Sequence, residues 1–217
     1  MRKLIKGIIN FRNTNLDEYR AKLAKLALEG QSPDALMIAC CDSRVAPAFA
    51  SSDPGDLFVV RNVGNLVAPY GHDSNDDSTA AAIEFALQTL KVKDIIICGH
   101  SECGAIDAVM KGRDKIIKPH LKSWLRNAES SHDKFKDGMR CGMNLSDHNE
   151  LSQINVLQQI EHAKTYSVVA DRIANGSLKI HGWWFDLASA NVYHYDAGIS
   201  RFIKIDDSTA ANIIDSL

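Results

Sequence analysis

The chain has no apolar run that approaches the length of a membrane span. Its basic, partly apolar start, residues 1–10, is broken by Lys6 and Asn10 before it could form the core of a signal peptide. It has no excess of either charge: 25 lysines and arginines stand against 27 aspartates and glutamates, a formal net of −2. No local basic patch offsets that balance, so neither a nucleic-acid partner nor a membrane surface is implied. Internal repeats and linker-like stretches are missing too, and 217 residues suit one domain with a full core better than two small ones. The cysteines do not make a disulfide framework, being five in number with Cys40 and Cys41 adjacent. Reduced thiols, metal binding and a cytoplasmic setting fit them better.

What the chain does have is a set of short, apolar, β-prone runs at residues 36–39, 57–61 and 94–98. The alanine-rich stretch 79–90 reads as a helix between the second and third of these, which gives β-α-β order, a parallel pair and a right-handed crossover. Before them, Leu4, Ile5, Ile8 and Ile9 recur at helical spacing, and residues 17–28 form a second helix stopped at Gly30. Further helices are predicted over 104–111, 119–127 and 151–174, while 130–150 is polar and shows no period. Residues 178–187 and 192–195 read as a hairpin. The predicted fold is α/β: one domain over residues 1–217, a central, mostly parallel sheet flanked by helices, an N-terminal helical arm over 1–30 and a C-terminal hairpin edge.

Two of the runs end in loops that carry soft metal donors. Gly99 releases the chain after the third, so that His100 and Cys103 turn toward one point; the first delivers Cys40, Asp42 and Arg44 at alternate positions, with Cys41 and Ser43 facing away. Thiolate, imidazole and thiolate are a three-ligand zinc set that leaves a fourth position open. Cys41 and Cys98 are rival donors, and their plainer role is that of small buried hydrophobes. Asp42 and Arg44 can form a bidentate ion pair that keeps the carboxylate ionised; alternatively Asp42 closes the site as a fourth ligand. A helix starting after Cys103 is expected to lower the pKa of that thiol. His72, His120, His132, His148 and His162 stand in polar surroundings and are expected at the surface, whereas His181 and His194 are structural residues of the hairpin.

Cys-x-Asp-Ser-Arg at 40–44 followed by Gly-His-Ser-x-Cys-Gly at 99–104 resembles the paired signature of the β-class carbonic anhydrases, and the similarity extends over residues 31–112 and 178–186. The resemblance implies zinc-dependent, reversible hydration of carbon dioxide to bicarbonate and a proton, by attack of zinc-bound hydroxide on CO2. It implies one Zn2+ per subunit on Cys40, His100 and Cys103, with Asp42 and Arg44 as catalytic residues. It also implies a homodimer or higher homo-oligomer in which the arm packs on a neighbouring subunit. Gln31, Phe58, Val63 and Gly104 match the CO2-site positions of the plant-like, open-site branch, and Phe85 stands where that branch has tyrosine. Met37 replaces the tryptophan of the bicarbonate-inhibited bacterial branch. Two thiolates offset the charge of the metal, so an alkaline optimum is expected. Two other functions share these residues: turnover of a related cumulene such as COS or CS2, and a closed structural zinc or thiol redox module.

Overall fold

The structure is a computed structural model that describes residues 1–14, 16–46, 49, 53–71 and 77–216. Among these residues six strands form one sheet: β1 (Ala35–Cys40), β2 (Leu57–Asn62), β3 (Asp94–His100), β4 (Lys179–Asp186), β5 (Asn191–Asp196) and β6 (Arg201–Lys204), in the order β2-β1-β3-β4-β5-β6. The first four in that order are parallel and the last two join antiparallel. β1 is buried throughout, as a central parallel strand must be when both faces are covered. Its neighbour β3 is in register with it, Ala35 opposite Asp94 and Ala39 opposite Cys98, so the carboxyl ends of the two strands reach the same edge of the sheet.

One face of the sheet, with Leu36, Ile38, Ile95, Ile97 and Trp184, is closed by helices α3 (Asp77–Glu84), α7 (Asp147–Lys164) and α8 (Ser167–Ala174), through Ile83, Ile154, Val156 and Val169. The other, with Ala35, Met37, Ala39, Ile96, Cys98 and Phe185, packs against Val45 and Phe49, whose ring stacks on Phe185 at 4.7 Å. At the amino end, α1 (Arg2–Thr14) and α2 (Leu16–Glu29) form the expected arm, and α1 buries none of its residues within the chain.

The elements depart from the sequence reading where burial is not apolar. The helix expected over 79–90 starts at Asp77 and finishes in a π-helical turn, Phe85–Thr89. The polar stretch 130–150 holds α6 (Glu129–Lys136), which docks by Phe135 and by a buried hydrogen bond from Ser131 Oγ to Asn155 Oδ1, without a longer apolar stripe. The helix expected over 151–174 is two, α7 and α8, parted where Tyr166 sends its hydroxyl to the Ala68 carbonyl. The predicted hairpin is present as β4 and β5, with β6 outside it; β6 and α9 (Ala210–Ser216) have no counterpart in the sequence reading. His162 is buried rather than solvent-facing, its Nδ1 bonded to the Val67 carbonyl at 2.8 Å. Cys41 is exposed rather than buried. His72 lies outside the described residues.

Gly99 also has a different role from the one expected. It is still part of β3, and a Cβ there would stand 2.6 Å from Val156 Cγ2 of α7. Its missing side chain lets the helix sit on the strand next to His100. Gly99→Ala is expected to cost about 1–3 kcal/mol through overpacking. Urea unfolding of the purified variant measures this, and an unchanged midpoint would contradict the close approach.

Candidate metal centre

Cys40 closes β1 and His100 closes β3, so the parallel pairing brings a thiol and an imidazole to one edge. The chain then turns through Ser101 and Glu102, and Cys103 caps α4 (Gly104–Met110). The two sulfurs are 4.0 Å apart, and the ligand atoms of Cys40, His100 and Cys103 all lie within 4.8 Å of one another. Tetrahedral zinc with sulfur ligands near 2.3 Å would set its sulfurs roughly 3.8 Å apart. His100 Nδ1–H donates to the Ser101 carbonyl at 2.8 Å, which leaves the lone pair on Nε2, and Nε2 is buried with no partner. An oriented, orphaned nitrogen beside two thiols is a donor set for a soft dication.

All three residues are buried, among Leu66, Ile106, Leu125 and Leu151. The Cys40 thiol is pulled well down, first by the hydrogen bond it shares with the Cys103 sulfur and further by the Gly64 N–H. Cys103 is pushed up, first by that same hydrogen bond and then by burial. The amides of Ala105 and Ile106 at the start of α4 act in the lowering direction expected from the sequence, yet they are outweighed. A bound dication would displace both protons. The rival thiols are elsewhere: Cys98 is buried with the second sheet face and pushed up to about 12 by desolvation, and Cys41 is exposed.

Asp42 accepts Arg44 Nε at 2.9 Å, Arg44 Nη2 at 2.7 Å and the Arg44 amide at 3.0 Å. These hydrogen bonds hold its carboxyl well below the usual range. Arg44 Nη2 also reaches the Glu102 carbonyl at 3.1 Å, so one guanidinium spans both donor loops. The Asp42 carboxylate is not part of the three-ligand cluster.

The family model of carbonic anhydrase matches residues 35–192, the stretch that holds all of these groups. The chain is 35% identical to the carbonic anhydrase of Pseudomonas aeruginosa over 94% of its own length and 92% of that protein. Among solved structures it is similar to the beta-carbonic anhydrase CcaA, with 35% identity, a TM-score of 0.86 and coverage of 94% of this chain and 99% of that one. The chain belongs to the β class of the carbonic anhydrases. It is also similar to one of the tetrameric beta-carbonic anhydrases of Sordaria macrospora, with 29% identity, a TM-score of 0.75 and coverage of 89% of this chain and 95% of that one.

The pocket residues matched to this family fall into two groups. Gly104 follows Cys103, and Val63 precedes Gly64, whose amide points at Cys40 Sγ from 3.4 Å, so both adjoin the metal ligands. Phe58 pairs with Leu36, four residues back along β1 from Cys40 and so roughly 13 Å away at strand spacing, and its ring meets Phe85 at 5.8 Å. Gln31 precedes β1 and is exposed. Within one chain Gln31, Phe58 and Phe85 are therefore at the far end from the ligands.

Several residues that secure the centre escaped the sequence reading. Arg61 donates to the carbonyls of Cys40, Asp42 and Val45 and shapes the first donor loop. Ser152 Oγ donates to the His100 carbonyl at 2.7 Å, and His148 Nε2 donates to that of Cys103 at 2.9 Å. Glu102 adopts a left-handed φ of 56°, strained for a side chain with a Cβ, and Asn149 clamps it by accepting its amide at 2.9 Å and donating to its carboxylate at 3.1 Å. Asn149→Ala should leave the fold intact and weaken zinc binding by about tenfold or more, read by competition with a chromogenic chelator. Cys40→Ser and Cys103→Ser should abolish stoichiometric zinc by elemental analysis while Cys41→Ser and Cys98→Ser retain it. Full zinc content in Cys40→Ser would contradict the ligand set.

Proposed function

We propose that the chain hydrates CO2 reversibly to bicarbonate and a proton, with one Zn2+ per subunit on Cys40, His100 and Cys103. The single observation behind this is the buried triad, two thiols and an orphaned imidazole nitrogen within 4.8 Å, on a chain of the β-carbonic-anhydrase family. When bound, zinc supplies the Lewis acidity that makes a water molecule nucleophilic.

The remaining chemistry is the work of the chain. Asp42, kept ionised by Arg44, only accepts hydrogen bonds, so it selects how the reacting water presents its proton and aims the lone pair at the carbon of CO2. Arg44 occupies both carboxylate oxygens and competes with the metal for them, which supports an open fourth position and the plant-like branch. Gly104 and Val63 line the CO2 side next to the ligands. Gln31, Phe58 and Phe85 complete the pocket from a second subunit.

A homodimer or larger assembly follows from that division. Val59 and Phe85 are exposed at β2 and the turn after α3, while α1 offers Leu4, Ile5, Ile8 and Ile9 to solvent. These apolar surfaces are what a symmetric contact would cover. The chain acts as one domain with the arm over 1–30. No helix among the described residues is long and apolar enough to cross a membrane, and its unpaired thiols fit a cytoplasmic enzyme.

Stopped-flow CO2 hydration by the zinc-loaded protein tests the activity, and no turnover above buffer would sink it. Arg44→Ala should lower turnover far more than zinc content. Asp42→Ala should keep its zinc and lose about 10²-fold in kcat, as for removal of a positioned proton acceptor. Near-normal hydration by Asp42→Ala would refute the role of the carboxylate.

A further inference from the structure

The second face of the sheet is covered by Val45 and Phe49 toward its carboxyl end, but its amino end opens into a cavity of about 730 Å³. Ala35, Ile96 and Trp183 line it from β1, β3 and β4, and Ile205 and Ile213 line it from the C-terminal segment. Ala35 and Cys40 are opposite ends of β1, so the cavity is roughly 17 Å along the strand from the metal ligands and forms no part of their site. Its volume lies in the range of small-molecule sites, which are typically apolar with a few placed polar groups.

Those polar groups are basic. Lys91, Lys93 and Lys179 line the cavity. None of the three has a side-chain hydrogen bond or ion pair among the described residues. Asp94, the carboxylate of the lining, is already taken by His181 Nε2 at 2.8 Å. Arg172 adds charge while spending its N–H groups on the carbonyls of Leu87, Val92 and Ser177. His194, also in the lining, has a buried Nδ1 with no partner, and an unsatisfied polar atom of this kind calls for a ligand atom.

We propose that this cavity is a second binding site, separate from the metal centre, for a small organic carboxylate with an apolar body. The apolar walls from the strands and the C-terminal segment take the body. The lysines and the His194 imidazole take the carboxylate. The α1 helix of a second copy fits this cavity poorly, because its exposed apolar residues are interleaved with Arg2, Lys3, Lys6 and Arg12 and would set basic groups against the lysines.

Decanoate, titrated into the zinc-loaded full-length protein by calorimetry and by tryptophan fluorescence, tests this, with 1-decanol as the uncharged control. Saturable uptake of one decanoate per chain is expected, with decanol bound more weakly. Lys93→Glu/Lys179→Glu should weaken decanoate binding by about tenfold or more through charge reversal. Ile213→Trp should block it by filling the cavity, and both variants should keep their CO2 hydration. The lysines are exposed, so the charge-reversed protein tests the head-group contact even if Ile213→Trp fails to fold. No saturable uptake by the wild type, equal affinity for decanol, or undiminished binding in the charge-reversed protein would overturn the proposal. So would binding that appears only on dilution to monomers, which would make the cavity a subunit contact.

Discussion

Two thiols and an imidazole in an apolar pocket, with one ring nitrogen left without a partner, are the constraint on which the rest of this structure depends. Buried polar groups of this kind are costly unless something satisfies them. The sulfurs are held 4.0 Å apart by the fold itself, since one closes β1, the other caps α4, and the imidazole closes β3 between them. Parallel pairing of β1 and β3 is therefore what creates the site. Everything that fixes their relative position, from the close approach of α7 over Gly99 to the tight packing of Leu66, Ile106 and Leu151, bears on the chemistry.

The long helix α7 shows how this is done. It is buried on nearly all sides, yet Glu150, Ser152, Gln153, Asn155, Gln158, Gln159 and His162 are among its buried residues. For most of them the partner explains why such a residue stands in a core. Ser152 holds the His100 carbonyl, Asn155 holds the Gly64 carbonyl, and Gln159 and His162 hold the backbone of Val67. The helix serves as a polar spine that braces both the β3 end and the loop whose Gly64 amide points at Cys40. The side chains that reach the donor loops, Ser152, Asn155, Gln159 and His162, are all hydrogen-bonded, which is what a centre with fixed ligand spacing requires.

This division also explains which parts of the molecule could be read from sequence. β1 and β3 stood out because buried parallel strands are nearly unbroken apolar runs, and their two donor motifs made Cys40, His100, Cys103, Asp42 and Arg44 legible together. The supports did not stand out. His148, Asn149 and Ser152 are polar residues at the border of a polar stretch, and α6 is tied to α7 by a hydrogen bond between polar side chains, which leaves no apolar period in the sequence. Arg61 reads as a charge at a strand end, although its guanidinium is spent on backbone carbonyls. The shift of the Cys103 thiol is legible only in part for a related reason: the helix start lowers it as its position indicates, but the neighbouring thiol that outweighs this effect comes from a motif 63 residues away. Tertiary hydrogen bonds to backbone have no local sequence signature.

In the function proposed above, Arg44 holds the Asp42 carboxylate away from a metal bound by three protein ligands. A crystal structure of the zinc-loaded protein near pH 7 tests this most directly. The expected result is zinc on Cys40 Sγ, His100 Nε2 and Cys103 Sγ, solvent in the fourth position, and both Asp42 oxygens still paired with Arg44. An Asp42 oxygen at coordination distance, about 2 Å from the zinc, with the Arg44 pair broken, would contradict it.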